Sequence, residues 1–170
     1  MDSETFTTEV FPLRDRMFRL ARRMLGDEAE AEDAVQDILE RLWSRRGELG
    51  RYDNLEAMTM VTMRNACLDR IRMRDSRRRG GDRIRAWTET SADGRIPIEM
   101  RDVGRIAERI IASLPEKQRL VIHLRDVEGY PAEEIALIAE MEVVAVRMAL
   151  SRARKTVREQ LQKIIDYGNK

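Results

Sequence analysis

LPEKQRLVIHLRDVEGYPAEEIALIAEMEVVAVRMALSRARKTVR, residues 114–158, is the stretch that decides the fold. Pro131 can open a helix, because the N–H it lacks falls where no intrahelical partner exists. Ile135, Ala136 and Ile138 give that helix an apolar face, and Ala136 is small enough to let a second helix approach. After Glu140-Met141-Glu142, apolar residues recur at helical spacing as Val143, Val146 and Leu150. Along the same helix Arg147, Arg152, Arg154, Lys155 and Arg158 place five positive charges with no acid between them. A short helix, a turn, and a second helix that is apolar on one side and cationic on the other form a helix-turn-helix suited to phosphates and base edges.

Working outward, charge is strongly segregated in a 170-residue chain whose net charge is only +1. Asp27 to Glu40 holds seven acids and no base, whereas Arg64 to Arg85 holds nine Arg against Asp69, Asp75 and Asp82. Blocks of opposite sign fit two classes of partner, one cationic and one polyanionic, or else simply two solvated helix faces. Charged residues make up 37% of the chain and aromatics 5%, which suits a hydrated helical protein. No apolar run approaches the ~20 residues of a membrane-spanning helix, so no direct membrane insertion is expected. The N-terminus MDSETFTTEV is acidic and lacks an apolar signal core, and Cys67 is the single cysteine. Both features favour a reducing cytoplasm.

The first half predicts three helices. Phe6, Val10, Leu13, Met17, Leu20 and Met24 form one stripe of a long helix that Gly26 ends. Asp27 caps a second, with Ala31, Ala34, Val35, Ile38 and Leu42 on one side. Ser44 to Asn54 reads as a loop, and Asn54 caps a third helix with Met58, Val61, Leu68 and Ile71 inward. Periodicity fades over residues 75–102, where Gly80, Gly81, Gly94 and Pro97 fall, and resumes with Ile106, Ile110, Ile111 and Leu114. The expectation is an all-α chain of two small helical domains joined by a flexible linker: residues 1–74, a linker at 75–102, and the helix-turn-helix domain at 103–170. The two domains should move independently, with the acidic helix transiently meeting the basic segments in a weak, salt-sensitive way. Trp87 is a candidate for local docking in the linker.

Several motifs together resemble an extracytoplasmic-function (ECF) sigma factor, the minimal two-domain class of bacterial transcription initiation factor. LGDEAEAEDAVQDILERLW (residues 25–43) resembles the family's segment that contacts core RNA polymerase. MRNACLDRIRMR (63–74) resembles the helix that engages the −10 promoter element. LPEKQRLVIHLRDVEGYPAEEIA (114–136) followed by VRMALSRARK (146–155) resembles the domain that reads the −35 element. The resemblance implies a sigma factor that binds core RNA polymerase and promoter DNA, is held by an anti-sigma factor, and needs no cofactor. The other reading is a stand-alone helix-turn-helix regulator that binds an operator as a dimer. That reading explains neither the acidic second helix nor the arginine-rich third.

On the acidic helix Asp33, Gln36, Asp37 and Glu40 are spaced to share a face, with Leu39 and Trp43 as apolar anchors or as core residues. These six are the candidates for polymerase contact. On the third helix Arg64, Arg70, Arg72 and Arg74 supply cations for −10 DNA, and Asn65 an amide for a base edge or for a bridge between helices. Asp69 is placed to orient an arginine. In the family the preceding loop helps recognise an extruded −10 base; here Tyr52 is its aromatic, free to stack on a base or to pack on the helix. For −35 DNA, Arg147, Met148 and Ser151 lie toward the groove, and Arg152, Arg154 and Lys155 toward phosphates. Two departures from the family stand out: Glu140 occupies a turn position where Gly is usual, and Pro131 a position where Ser or Thr caps. His123, the sole histidine, reads as a partly buried structural residue and Cys67 as packing. No Gly-rich phosphate loop, zinc-ligand spacing or nucleophile elbow is present, so a non-enzyme is expected.

Overall fold

The computed structural model describes residues 1–79 and 100–169, and every regular element among them is helical. The expectations for Trp87, Gly94 and Pro97 lie outside the described residues. Helix α1 (Ser3–Glu9) is capped by Asp2, whose Oδ1 accepts the Thr5 N–H at 2.8 Å. A 3-10 turn (Phe11–Leu13) leads into α2 (Arg14–Leu25). The expected single long helix is therefore broken at Pro12, which has no N–H to continue an α ladder. The stripe survives the break because a 3-10 turn keeps a three-residue step. Phe6, Val10, Leu13, Met17, Leu20 and Met24 are all buried.

Gly26 closes α2 at φ 73°, and the Asp27 carboxylate accepts the Glu30 N–H at 2.8 Å to start α3 (Glu28–Ser44). The expected loop after it contains one helical turn, α4 (Arg46–Leu49), whose Leu49 plugs into the core. Asn54 then caps α5 (Leu55–Arg79), accepting the Ala57 N–H at 2.9 Å. The helix runs five residues past the expected boundary at 74. Arg and Met are good helix formers, and nothing in MRDSRRR breaks a helix before Gly80. At the other side α6 (Met100–Ser113) also starts inside the expected linker.

The inward face of α5 differs from expectation. Ala57, Met60, Met63 and Cys67 are buried, while Met58, Val61, Leu68 and Ile71 are half-buried flanks. The reason is that α5 packs on α2 and α3 and also on α8 (Ala132–Ala139), so apolar contacts surround it instead of lying on one stripe. The buried side of α8 is Ile135, Ile138 and Ala139, with Ala132 and Ala136 at the contact. One continuous apolar core thus joins the two halves, from Phe6 through Met60 and Met63 to Tyr130 and Ile138. The halves lie in a closed arrangement in which α8's apolar face is buried on α5, a non-directional gain that salt does not screen.

The C-terminal half continues with α7 (Glu116–Ile122), a π-turn (His123–Val127), α8 and α9 (Val143–Gly168). Pro131 stands at the N-cap of α8 with no side-chain cap. On α9 Val146, Ala149 and Ala153 face inward, with Val143 and Leu150 at the margins. Glu140 ends α8 at φ 54°, ψ 50°, the only non-glycine residue with positive φ among the described residues. A left-handed L-residue costs roughly 1–2 kcal/mol. Glu140→Gly is therefore expected to stabilise the protein by about 1 kcal/mol in urea or thermal denaturation. The Arg64–Glu140 pair lost with it, at 3.6 Å with the carboxylate mostly exposed, contributes little.

Candidate partner and nucleic-acid surfaces

Three surfaces carry the expected residues. On α3, Asp33, Gln36, Asp37 and Glu40 are all exposed, and Gln36 Nε2 donates to Glu40 Oε1 at 3.3 Å. Asp37 accepts from Arg70 at 2.5 Å. Leu39 is half-buried against the core. Trp43 lies half in the core and half outside it. Its ring meets Phe6 edge-on at 5.1 Å, the Arg46 guanidinium lies 4.4 Å from its centroid, and 41% of the residue is exposed. The α3 surface is thus an acidic face bordered by one exposed aromatic.

On α5 the structure divides the expected DNA residues. Asn65 and Arg72 are exposed on the helix, and Tyr52 is exposed in the turn before it. Arg72 Nη1 sits 3.6 Å from Asp69 Oδ1, with both side chains exposed. The other three arginines are engaged. Arg70 binds Asp37; Arg74 binds Glu30 and donates to the Leu25 carbonyl at 3.2 Å; Arg64 is 15% exposed and faces Glu140. The acidic and basic blocks therefore do meet, but as fixed ion pairs between α3 and α5 within the N-terminal half.

On α9, Arg147, Met148, Ser151, Arg152 and Lys155 are all exposed. Arg147 pairs loosely with Glu133 of α8 at 3.7 Å, and Lys155 with Glu159 at 3.9 Å. Arg154 is different: its Nε and Nη2 both donate to Asp126, tying α9 to the π-turn. Arg154 is thus a structural clamp in this arrangement, where the sequence suggested a phosphate contact.

A further cluster, which sequence reasoning missed, joins the halves. Arg19 donates from Nε and Nη2 to the two oxygens of Glu128, at 2.7 and 2.9 Å. Arg16 Nη1 and the Tyr130 hydroxyl both donate to Glu56 Oε1, at 2.7 and 2.6 Å, and the Arg16 guanidinium lies 5.2 Å from the Tyr130 ring centroid. Asn54 donates to Glu134 at 3.3 Å. The Glu128 side chain is 1% exposed. Burial pushes its carboxyl up, but the two hydrogen bonds from Arg19, with His123 close by, outweigh this and hold it down at about 2. Burial and the bond to Glu56 raise the Tyr130 hydroxyl well above its usual range. His123 is fully buried, more than expected, with Nε2 3.5 Å from Glu128 and neither ring nitrogen in a well-formed hydrogen bond. Burial drives the Cys67 thiol up to about 12, which makes it an inert packing group. No group of His, Cys, Asp and Glu among the described residues is arranged to hold a metal.

Residues 12–77 match the family model for sigma-70 region 2, and residues 104–157 match that for sigma-70 region 4. The ECF RNA polymerase sigma factor SigW of Bacillus subtilis (strain 168) is 26% identical, over 95% of this chain and 91% of SigW. The probable ECF RNA polymerase sigma factor SigI of Mycobacterium tuberculosis (strain ATCC 25618 / H37Rv) is 31% identical over 82% of this chain, which spans only 50% of SigI. Among solved structures, the sigma factor RpoE in complex with the anti-sigma factor NepR from Bartonella quintana superposes with a TM-score of 0.75 at 22% identity, covering 94% of this chain and 98% of that one. CnrH in complex with the cytosolic domain of CnrY gives a TM-score of 0.66 at 20% identity, covering 95% of this chain and 90% of that one.

Proposed function

The chain belongs to the ECF RNA polymerase sigma factors, and from that premise we propose how its surfaces divide the work of promoter recognition. As a sigma factor it binds core polymerase and directs it to promoters. The acidic face of α3, with Asp33, Gln36, Asp37, Glu40 and the Trp43 edge, docks on a basic surface of core polymerase. Tyr52, Asn65 and Arg72 meet the −10 element, joined by Arg64, Arg70 and Arg74 once their carboxylate partners are exchanged for phosphates. The exposed side of α9 reads the −35 element, with Arg147 toward base edges and Arg152 and Lys155 toward phosphates. The role is binding and not catalysis, and its place is the cytoplasm, where the chromosome lies. No helix among the described residues is long and apolar enough to cross a membrane.

The observation that carries this reading is the coexistence of the region 2 and region 4 matches with oppositely charged exposed faces on α3 and α9. An operator-binding dimer has no use for the region 2 half. Scale adds a consequence. Elements about 25 base pairs apart are separated by roughly 85 Å at 3.4 Å per base pair. A closed body of this length has a radius of gyration of about 15 Å. It cannot touch both elements, so the α5–α8 contact must open when polymerase binds. RpoE is seen in complex with the anti-sigma factor NepR and CnrH with the cytosolic domain of CnrY, and an anti-sigma partner fits this chain as well.

Reconstitution with core polymerase and run-off transcription tests the whole reading; failure to co-purify with core polymerase overturns it. A finer expectation separates the α9 residues. Arg147→Ala should lose about 1–3 kcal/mol of discrimination at one −35 position. Lys155→Ala should weaken binding to all sequences alike and reduce the salt slope by about one. Binding titrations against a promoter panel at several salt concentrations distinguish the two.

A further inference from the structure

The exposed side of α9 is not uniformly polar. Val144 is 66% exposed and Met148 50% exposed. At roughly 100° per residue, Val144 and Met148 lie within about 40° of each other, and Val144 lies about 180° from Ala153. Ala153 and Val146 are fully buried, so the two apolar side chains project straight away from the core. They occupy the first turns of the helix, the part of a recognition helix that reaches base edges. Arg147, Ser151, Arg152 and Lys155 share their side and are exposed too. An apolar pair inside a cationic frame needs an occupant that is apolar at its centre and anionic at its margins.

The major groove of duplex DNA is such a surface. Phosphates line its edges, and the C5-methyl of thymine is the apolar group that its base pairs present there. We propose that Val144 and Met148 read thymine methyl groups in the −35 element, so that part of this chain's promoter specificity is apolar. The inference rests on the assignment of α9 to −35 DNA and adds the base class that it selects. Arg147, about 60° around the helix from Val144 on the side away from Met148, provides the polar contact, bidentate to guanine, that sets the register. Ser151 one turn further on leaves room for either base type.

The test uses the full chain with core polymerase and a duplex pool randomised over the upstream element. Selection should enrich thymine, on either strand, next to a guanine. The enriched duplex is then remade with deoxyuridine in place of thymidine, which removes only the methyl group. Affinity should fall about fourfold for each methyl read. Val144→Ala and Met148→Ala truncate solvent-exposed side chains, so both should keep the parent's helicity and melting temperature. Each should lose about one such factor of the discrimination, and the double variant should bind the thymidine and deoxyuridine duplexes equally. If thymine is not enriched, or the parent protein does not distinguish the two duplexes, methyl reading is wrong. If those duplexes bind equally and the protein self-associates through this face, Val144 and Met148 serve contact between copies and the proposal is likewise overturned. A pool with no upstream preference at all would overturn the −35 assignment beneath it.

Discussion

Glu128→Gln is expected to open the closed arrangement. The substitution keeps size and shape but removes the charge that holds Arg19 through two hydrogen bonds and faces Arg16 at 3.9 Å. The side chain is buried, so the pair is little screened from that side, while Arg19 is close to half exposed and regains water when it is released. Balancing these, the loss is about 2 kcal/mol, a roughly thirtyfold shift toward the open form. The radius of gyration from small-angle scattering should rise above the parent's. Acid provides an independent check. The carboxyl sits at about 2 in the closed form against 4.5 ordinarily, so its contribution is complete above about 4.5 and is lost as pH falls toward 2. The parent should expand over that window before helicity is lost, and Glu128→Gln should lack that step. Unchanged scattering for the variant would mean that the apolar contact of α5 with α8 is sufficient to hold the halves together.

The second large effect is expected at the polymerase surface. Asp33→Lys with Glu40→Lys reverses two exposed charges on α3 that make no ion pair among the described residues, so folding should be untouched. Placing like charges against a basic partner costs several kcal/mol, which corresponds to a loss of a hundredfold or more in affinity for core polymerase. Asp37 is the less clean site, because reversing it also breaks the pair with Arg70 and unsettles α5. Titration of labelled protein with core polymerase at moderate salt measures the effect, and circular dichroism checks helicity. Retained affinity would remove α3 from the interface.

The residues that were legible in advance share a physical property: their signal is local. Asp27 and Asn54 cap because a short acceptor three residues before a free N–H is a local geometry. The acidic face of α3 and the cationic side of α9 follow from helical spacing alone. The helix-turn-helix follows from apolar and cationic spacing, whereas the turn at Glu140 stands out only against the family's usual Gly, and the structure gives it φ 54°. Pro12 breaks the first helix even though the apolar stripe runs through it without a gap, because the missing N–H acts on the backbone and leaves the side-chain spacing intact.

What the sequence determined by itself was therefore the all-α class, the two halves, the helix caps and the charged faces of α3 and α9. Tertiary structure alone decided which side of α5 is buried, since a helix enclosed by α2, α3 and α8 has no single stripe to read. It decided that Arg64, Arg70 and Arg74 are held by carboxylates and that Arg154 clamps Asp126, because a cation's partner depends on what the fold brings beside it. It also decided that the halves close on each other. Glu128 is an unremarkable acid after a helix until Arg19, 109 residues away, donates to it, and a contact between positions that distant leaves no periodic trace in the chain.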